Sequence, residues 1–209
     1  MDPANNVRDW ITSLPKKGRI AFDLQELKSH FLHMPQKTID SVIYRLKKNN
    51  RLYSARQGFY VIIPDEYALR GFVPPIEYID RLMNSLGRTY YVALLSAAAI
   101  YGSAHQQPQV LQVIADSNQL KSRIKNESSI RFFAKHNIPA KYIVEKAAGR
   151  DKICISTPEF TSLDLVLYED RIGGLERVAE VLAELSETID YSKADAEFWR
   201  SFPSPVIQR

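Results

Sequence analysis

An α+β chain in two parts is what the sequence predicts: a basic unit of three helices and a hairpin over residues 1–70, then a mixed α/β domain over residues 71–209. Three observations carry this reading. Apolar residues recur at helical spacing up to residue 48, two β-rich runs around a glycine turn follow at once, and the charge changes where they end. Residues 1–70 hold 12 Lys/Arg against 7 Asp/Glu, while residues 71–209 hold 16 against 17, so the basic excess sits in the first third.

The first helix is read from Val7, Trp10, Ile11 and Leu14, and Pro15 with Gly18 ends it. A short apolar run, RIAF, leads to a second helix. There Asp23 is the N-cap with Glu26 three residues on, as in a capping box, and Leu24, Leu27 and Phe31 form the buried side. HMP breaks the chain before a third helix over residues 36–49, in which Ile39, Val42, Ile43 and Leu46 stand at i, i+3, i+4 and i+7. Asn49-Asn50 stops it. RLYSA and FYVII are then paired strands joined through Arg56-Gln57-Gly58, the glycine being suited to a turn with positive φ.

At about 100° per residue, the side of the third helix opposite its apolar stripe carries Lys37, Ser41, Tyr44 and Lys48, flanked by Asp40 and Arg45. Within residues 37–56 the cations Lys37, Arg45, Lys47, Lys48, Arg51 and Arg56 stand against one acid, Asp40. Three helices and a basic hairpin in this order predict a winged helix-turn-helix, its third helix in the major groove of double-stranded DNA and its hairpin tip on the neighbouring backbone. The candidate DNA-binding residues are Lys37, Ser41, Tyr44, Arg45, Lys48, Arg51 and Arg56. A protein-interaction domain is the rival use of the same topology, and the turn Leu32-His33-Met34-Pro35 lacks the glycine often found between such helices.

Residues 64–75, with PDEY and GFVPP, read as a linker. A helix follows with Ile76, Ile79, Leu82, Met83 and Leu86 inward, and YYVALLSAAAIYG reads as another whose Ser96, Ala97, Ala98 and Ala99 permit close packing. Strands are expected at VLQVIA, IRFFA, KYIVE and KICIS. Two closing helices start at Thr157-Pro158-Glu159 and after Gly173-Gly174. The second presents Leu175, Val178, Val181, Leu182 and Leu185 on one face and Glu176, Arg177, Glu180, Glu184 and Glu187 as solvated surface.

A single cysteine, Cys154, excludes an intramolecular disulfide and reads as a small buried hydrophobe. His30 and His33 have no third ligand near them, so neither a metal nor a cofactor is expected. No phosphate loop, nucleophile elbow or zinc-protease motif is present, and an enzyme would have to rest on Asp116, Asp164 and His105, scattered over separate elements. A non-enzymatic protein is expected. The amides of residues 104–109 read as satisfying local backbone groups rather than holding a polar ligand. No apolar run approaches membrane length and MDPANNVRDW lacks the pattern of a signal peptide, so a cytoplasmic protein with no membrane partner is expected.

Four longer stretches carry a family pattern: YRLKKNNRLYSARQGFYVIIPDEY (44–67), LGRTYYVALLSAAAIYGSAHQQPQV (86–110), STPEFTSLDLV (156–166) and GGLERVAEVLAEL (173–185). From residue 18 to about 187 the chain resembles the AbiEi antitoxins of bacterial type IV toxin–antitoxin systems, which are linked to phage resistance. The resemblance implies an N-terminal winged helix that represses its own operon at promoter inverted repeats. It also implies a C-terminal domain that neutralises a nucleotidyltransferase-like toxin, with no stable complex implied. The DNA role then falls on the seven residues already named, and no catalytic residue is supplied. A stand-alone transcription regulator that senses a ligand through residues 71–209 is the nearer alternative, and a nucleic-acid-processing enzyme the more distant one.

Overall fold

The structure, a computed structural model, describes residues 3–103, 108–120 and 129–208. Packing divides the chain into two units, residues 1–86 with 148–151, and residues 87–147 with 152–209.

The first unit contains α1 (Pro3–Ser13), β1 (Ala21–Asp23), α2 (Leu24–His30), α3 (Gln36–Lys48), β2 (Leu52–Arg56), β3 (Phe59–Ile62) and α4 (Ile79–Ser85). The apolar stripe of α3 explains why this helix forms and how it sits. Ile39, Val42, Ile43 and Leu46 are all buried, in one core with Val7, Ile11 and Leu14 of the α1 segment and Leu27 of α2. At about 1.5–3 kcal/mol for each fully buried aliphatic side chain, this face outweighs the weak intrinsic preference of β-branched residues for helix. The helix ends in a Schellman motif: Arg51 N–H donates to Leu46 O and Asn50 N–H to Lys47 O, with Asn50 at φ 52°. Asparagine tolerates this left-handed conformation better than most residues.

Asp23 caps α2 as its sequence demands, accepting from Glu26 N–H at 2.7 Å. The reciprocal half of the capping box does not form, because the Glu26 carboxylate turns to Arg19 at 2.6 and 2.7 Å. An ion pair outcompetes a neutral backbone donor. The sheet runs β1-β3-β2, antiparallel throughout, with Gly58 at φ 77° in the hairpin turn. Arg56 closes β2 rather than standing in the turn, at a register shift between Ser54 and Arg56.

The boundary expected at residues 70/71 does not coincide with the division of packing, which falls at 86/87. Residues 64–75 are not a free linker: Val73 and Pro75 are buried, and Tyr53 Oη donates to Val73 O. Tyr78, also buried, lies against the rings of Tyr53 and Phe59, so α4 is tied to the hairpin. Composition suggests a linker here because proline and glycine punctuate the stretch, yet the same residues shape a packed connection.

The second unit is a mixed sheet of five strands in the order β6-β5-β4-β8-β7, formed by β4 (Tyr90–Val92), β5 (Val110–Ala115), β6 (Ser129–Ala134), β7 (Ile143–Ala148) and β8 (Asp151–Ser156). Its helices are α5 (Leu94–Ile100), α6 (Pro158–Leu167), α7 (Glu169–Ile172), α8 (Leu175–Leu185), α9 (Ala196–Arg200) and α10 (Ser204–Ile207). Register places Tyr91, Ile114 and Phe133 in one row across β4, β5 and β6. That row belongs to a core completed by Leu94, Ala98, Phe160, Leu163, Val178 and Phe198.

Three expectations for this unit need correction. Tyr90–Val92 is a strand, not the start of a helix, and the helix begins only at Leu94, whose positive φ of 55° makes the sharp change of direction. A three-residue strand followed directly by small helix formers gives no period to read. Leu175 on α8 is 60% exposed, while Val178, Val181 and Leu185 of the same face are buried. It sits in the first turn after Gly174, ahead of the packed part of the stripe. The chain also closes with the short helices α9 and α10 beyond α8, and Phe198 of α9 with Phe202, between the two, seals the core. The amides and His105 within residues 104–107 lie outside the described residues, and Asp190, Tyr191 and their neighbours, not α8, lead into the closing segment.

Candidate nucleic-acid interface

Packing α3 by its stripe leaves the opposite side in solvent. Lys37, Ser41, Tyr44 and Lys48 fall within an arc of about 60° on that side, all exposed, with Tyr44 67% accessible. Ser41 Oγ donates to Lys37 O at 2.7 Å, and Gln36 Nε2 donates to Asp40 Oδ1 at 2.8 Å, which engages the one acid on this surface. The face therefore offers two ammonium groups, a phenol and a hydroxyl, and these suit phosphate and base edges.

The remaining candidates divide. Arg45 and Lys48 also reach the side of α3, where with Arg8, Leu46, Asn49 and Arg51 they line a groove of about 280 Å³. Arg51, at the foot of β2, is paired with Asp65. Arg56 is half-buried at the other end of that strand, its carbonyl accepting from Ser54 Oγ at 2.6 Å. The Gly58 carbonyl accepts from Leu24 N–H at 2.8 Å, which ties the hairpin turn to the start of α2. The two arginines thus stand at opposite ends of β2 rather than together. Two cations outside the seven candidates lie close by: Arg8 of α1 lines this groove, and Lys16, just after α1, lines an adjoining one; the apolar stripe of α1 points to its buried side and says nothing of where they stand.

The carboxylates considered for catalysis have structural surroundings. Asp116, after β5, accepts from Thr89 N–H at 3.2 Å. Asp164, in α6, is wholly buried and accepts from Tyr91 Oη at 2.8 Å and from Lys135 Nζ at 2.9 Å. Burial pushes the Asp164 carboxyl above its usual range, opposed by Lys135 and Tyr91, and the same burial pulls the Lys135 ammonium down. Lys135 Nζ also lies 4.2 Å from the Phe160 ring centroid and 3.8 Å from that of Phe202. The group is an enclosed ion pair with aromatic walls. Cys154 is partly buried against the same core. Among the described residues no cluster of His, Cys, Asp and Glu has the makings of a metal site. None of the described helices is long and apolar enough to cross a membrane.

Residues 91–209 match the family described as the AbiEi antitoxin C-terminal domain. The chain belongs to the AbiEi antitoxin family. The AbiEi match opens at Tyr91 and so takes in α5, α6, α8 and the Lys135–Asp164 pair, but not α3. No curated protein matches this AbiEi chain. An antigenic nucleotidyltransferase-like protein from Paracoccidioides brasiliensis is similar in structure over 63% of this chain and 85% of that one, at 7% identity and a TM-score of 0.35. A likeness that slight carries no argument about fold or function.

Proposed function

We propose that this antitoxin binds double-stranded promoter DNA at inverted repeats, through a winged helix-turn-helix formed by the first unit, and so represses its own operon. The observation that carries the reading is the division of α3 into a buried face of Ile39, Val42, Ile43 and Leu46 and an exposed face of Lys37, Ser41, Tyr44 and Lys48. The element order α1, β1, α2, α3, β2, β3 supports it, since a helix so mounted beside a hairpin matches the way winged helices meet DNA. The second unit neutralises a nucleotidyltransferase-like toxin, in the manner of a type IV system and without a stable complex, and neither unit performs catalysis. The protein acts in the cytoplasm, in defence against phage.

Duplex binding measured against salt tests the DNA role. With about five phosphates neutralised per protomer, log affinity falls against log salt with a slope on the order of −4 to −5. Ser41→Ala/Tyr44→Ala narrows the gap between operator and random DNA, each lost base contact being worth about 1–3 kcal/mol. Arg56→Ala weakens both duplexes alike. A salt-independent interaction, or an unchanged operator preference in the double variant, refutes α3 as the reading element. Growth of cells that co-express each half with the neighbouring toxin gene tests the antitoxin assignment.

A further inference from the structure

The groove beside α3 has the features of a second anion site. A second groove of about 530 Å³ adjoins it, sharing Arg8, Leu46 and Arg51, and is lined further by Lys16, Asp65, Glu66 and Arg150 with Ile11 and Ile62. The two carboxylates are already engaged, Asp65 by Arg51 and Glu66 by Arg150. Arg8, Lys16, Arg45 and Lys48, by contrast, have no ion-pair partner among the described residues. Arg45 and Lys48 line the first groove, Lys16 the second and Arg8 both, so four cations follow one another along adjoining surfaces, and an anionic strand laid over them relieves their repulsion.

We infer that these adjoining grooves seat the sugar-phosphate backbone of the same duplex that the exposed face of α3 reads, with Arg8 and Lys16 as phosphate-binding residues. Geometry favours a backbone over an acidic protein segment. From Lys37 to Lys48 the helix rises about 16 Å, more than the roughly 12 Å width of the major groove. A helix whose first turns enter that groove therefore brings its last turn to the phosphate ridge. Lys48 and Arg45 stand on this last turn and belong to both surfaces, so the ridge passes from one to the other without a gap. The apolar lining suits deoxyribose faces.

The inference rests on the DNA-binding reading, and the test separates the two. Affinities of the full chain for an operator duplex and a random duplex of equal length are measured by fluorescence anisotropy over a range of salt. Arg8→Ala/Lys16→Ala is compared with Lys17→Ala/Lys193→Ala, which removes the same charge from exposed positions outside the groove. The groove variant is expected to lower the salt slope by about two and to weaken both duplexes by the same factor. The control is expected to keep the native slope. Equal slopes in the two variants would show that Arg8 and Lys16 act only through net charge, which overturns the proposal. Native affinity in the groove variant also overturns it, leaving the groove to an acidic protein segment while α3 stands as the reading element. If the unaltered chain binds neither duplex, the DNA reading itself falls, and the groove proposal with it.

Discussion

Lys135→Met is expected to cost about 3–5 kcal/mol at neutral pH, because it strands a buried carboxylate. Across the 2.9 Å that separates Lys135 Nζ from Asp164 Oδ1, the attraction at an effective dielectric of about 20 is about 6 kcal/mol. Moving each ion out of water costs several kcal/mol, so the intact pair comes close to breaking even. Removing the lysine deletes the attraction and leaves the burial cost of Asp164, which the Tyr91 hydroxyl then offsets in part. The sign of the pH dependence follows. Burial already holds the Asp164 carboxyl above its unfolded value of about 3.9, and losing Lys135 pushes it higher. A raised carboxyl contributes stability that is complete below about pH 4 and is lost as pH rises through the folded value, so the variant regains stability on acidification from pH 7.

Urea unfolding in a Trp10→Phe background measures this, since Trp199 then reports the second unit alone. The triple variant Lys135→Met/Asp164→Leu/Tyr91→Phe removes the charge, its partner and the hydroxyl together, and is expected to lie within about 1 kcal/mol of the native protein or above it. A Lys135→Met protein as stable as the native chain at both pH 7 and pH 4.5 would refute the reasoning, because it would mean that water reaches the pair.

Asp23→Ala removes the side-chain cap of α2 and is expected to cost about 1 kcal/mol, read from thermal melting. Asn50→Ala removes the short polar side chain that makes the left-handed conformation at the end of α3 tolerable and is expected to cost about 1 kcal/mol, whereas Asn50→Gly leaves stability nearly unchanged. Asp195, bonded by Lys141 and Tyr142, has its carboxyl held well below the usual range, so its contribution is present above about pH 4 and fades under it. Asp195→Asn therefore lowers the melting temperature at pH 7, and the two melting curves converge as pH falls toward 2.

Much of the first unit was legible because its signals are local. The four-residue stripe of α3, the Asp23 cap and the glycine turn each sit within a few positions of the structure they determine. The exposed candidate face follows from that stripe by rotation alone. What stayed hidden depends on neighbours remote in sequence. Lys135 and Asp164 are 29 positions apart, and nothing about a lysine after a strand announces that two phenylalanine rings enclose it. Arg8 and Lys16 gain their setting only when α1 packs along α3. The packing of residues 73–78 is hidden for the same reason, since Val73 and Tyr78 find their partner, Tyr53, across the hairpin rather than along the chain.

The β7–β8 turn gives the first unit an unusual timetable. Residues 148–151 belong to that unit: Glu77 accepts from Arg150 N–H at 3.3 Å, Arg81 meets Asp151 at 2.9 Å, and Arg150 pairs with Glu66. During synthesis, then, everything up to residue 86 has left the ribosome while its last component is still unmade. About 65 more residues must be added first, which at roughly 5–20 residues per second takes about 3–13 s. Over that interval the nascent unit carries Glu66, Glu77 and Arg81 without these partners. The finished arrangement of the N-terminal part is therefore a late event of translation, reached only after most of the five-stranded sheet has been made.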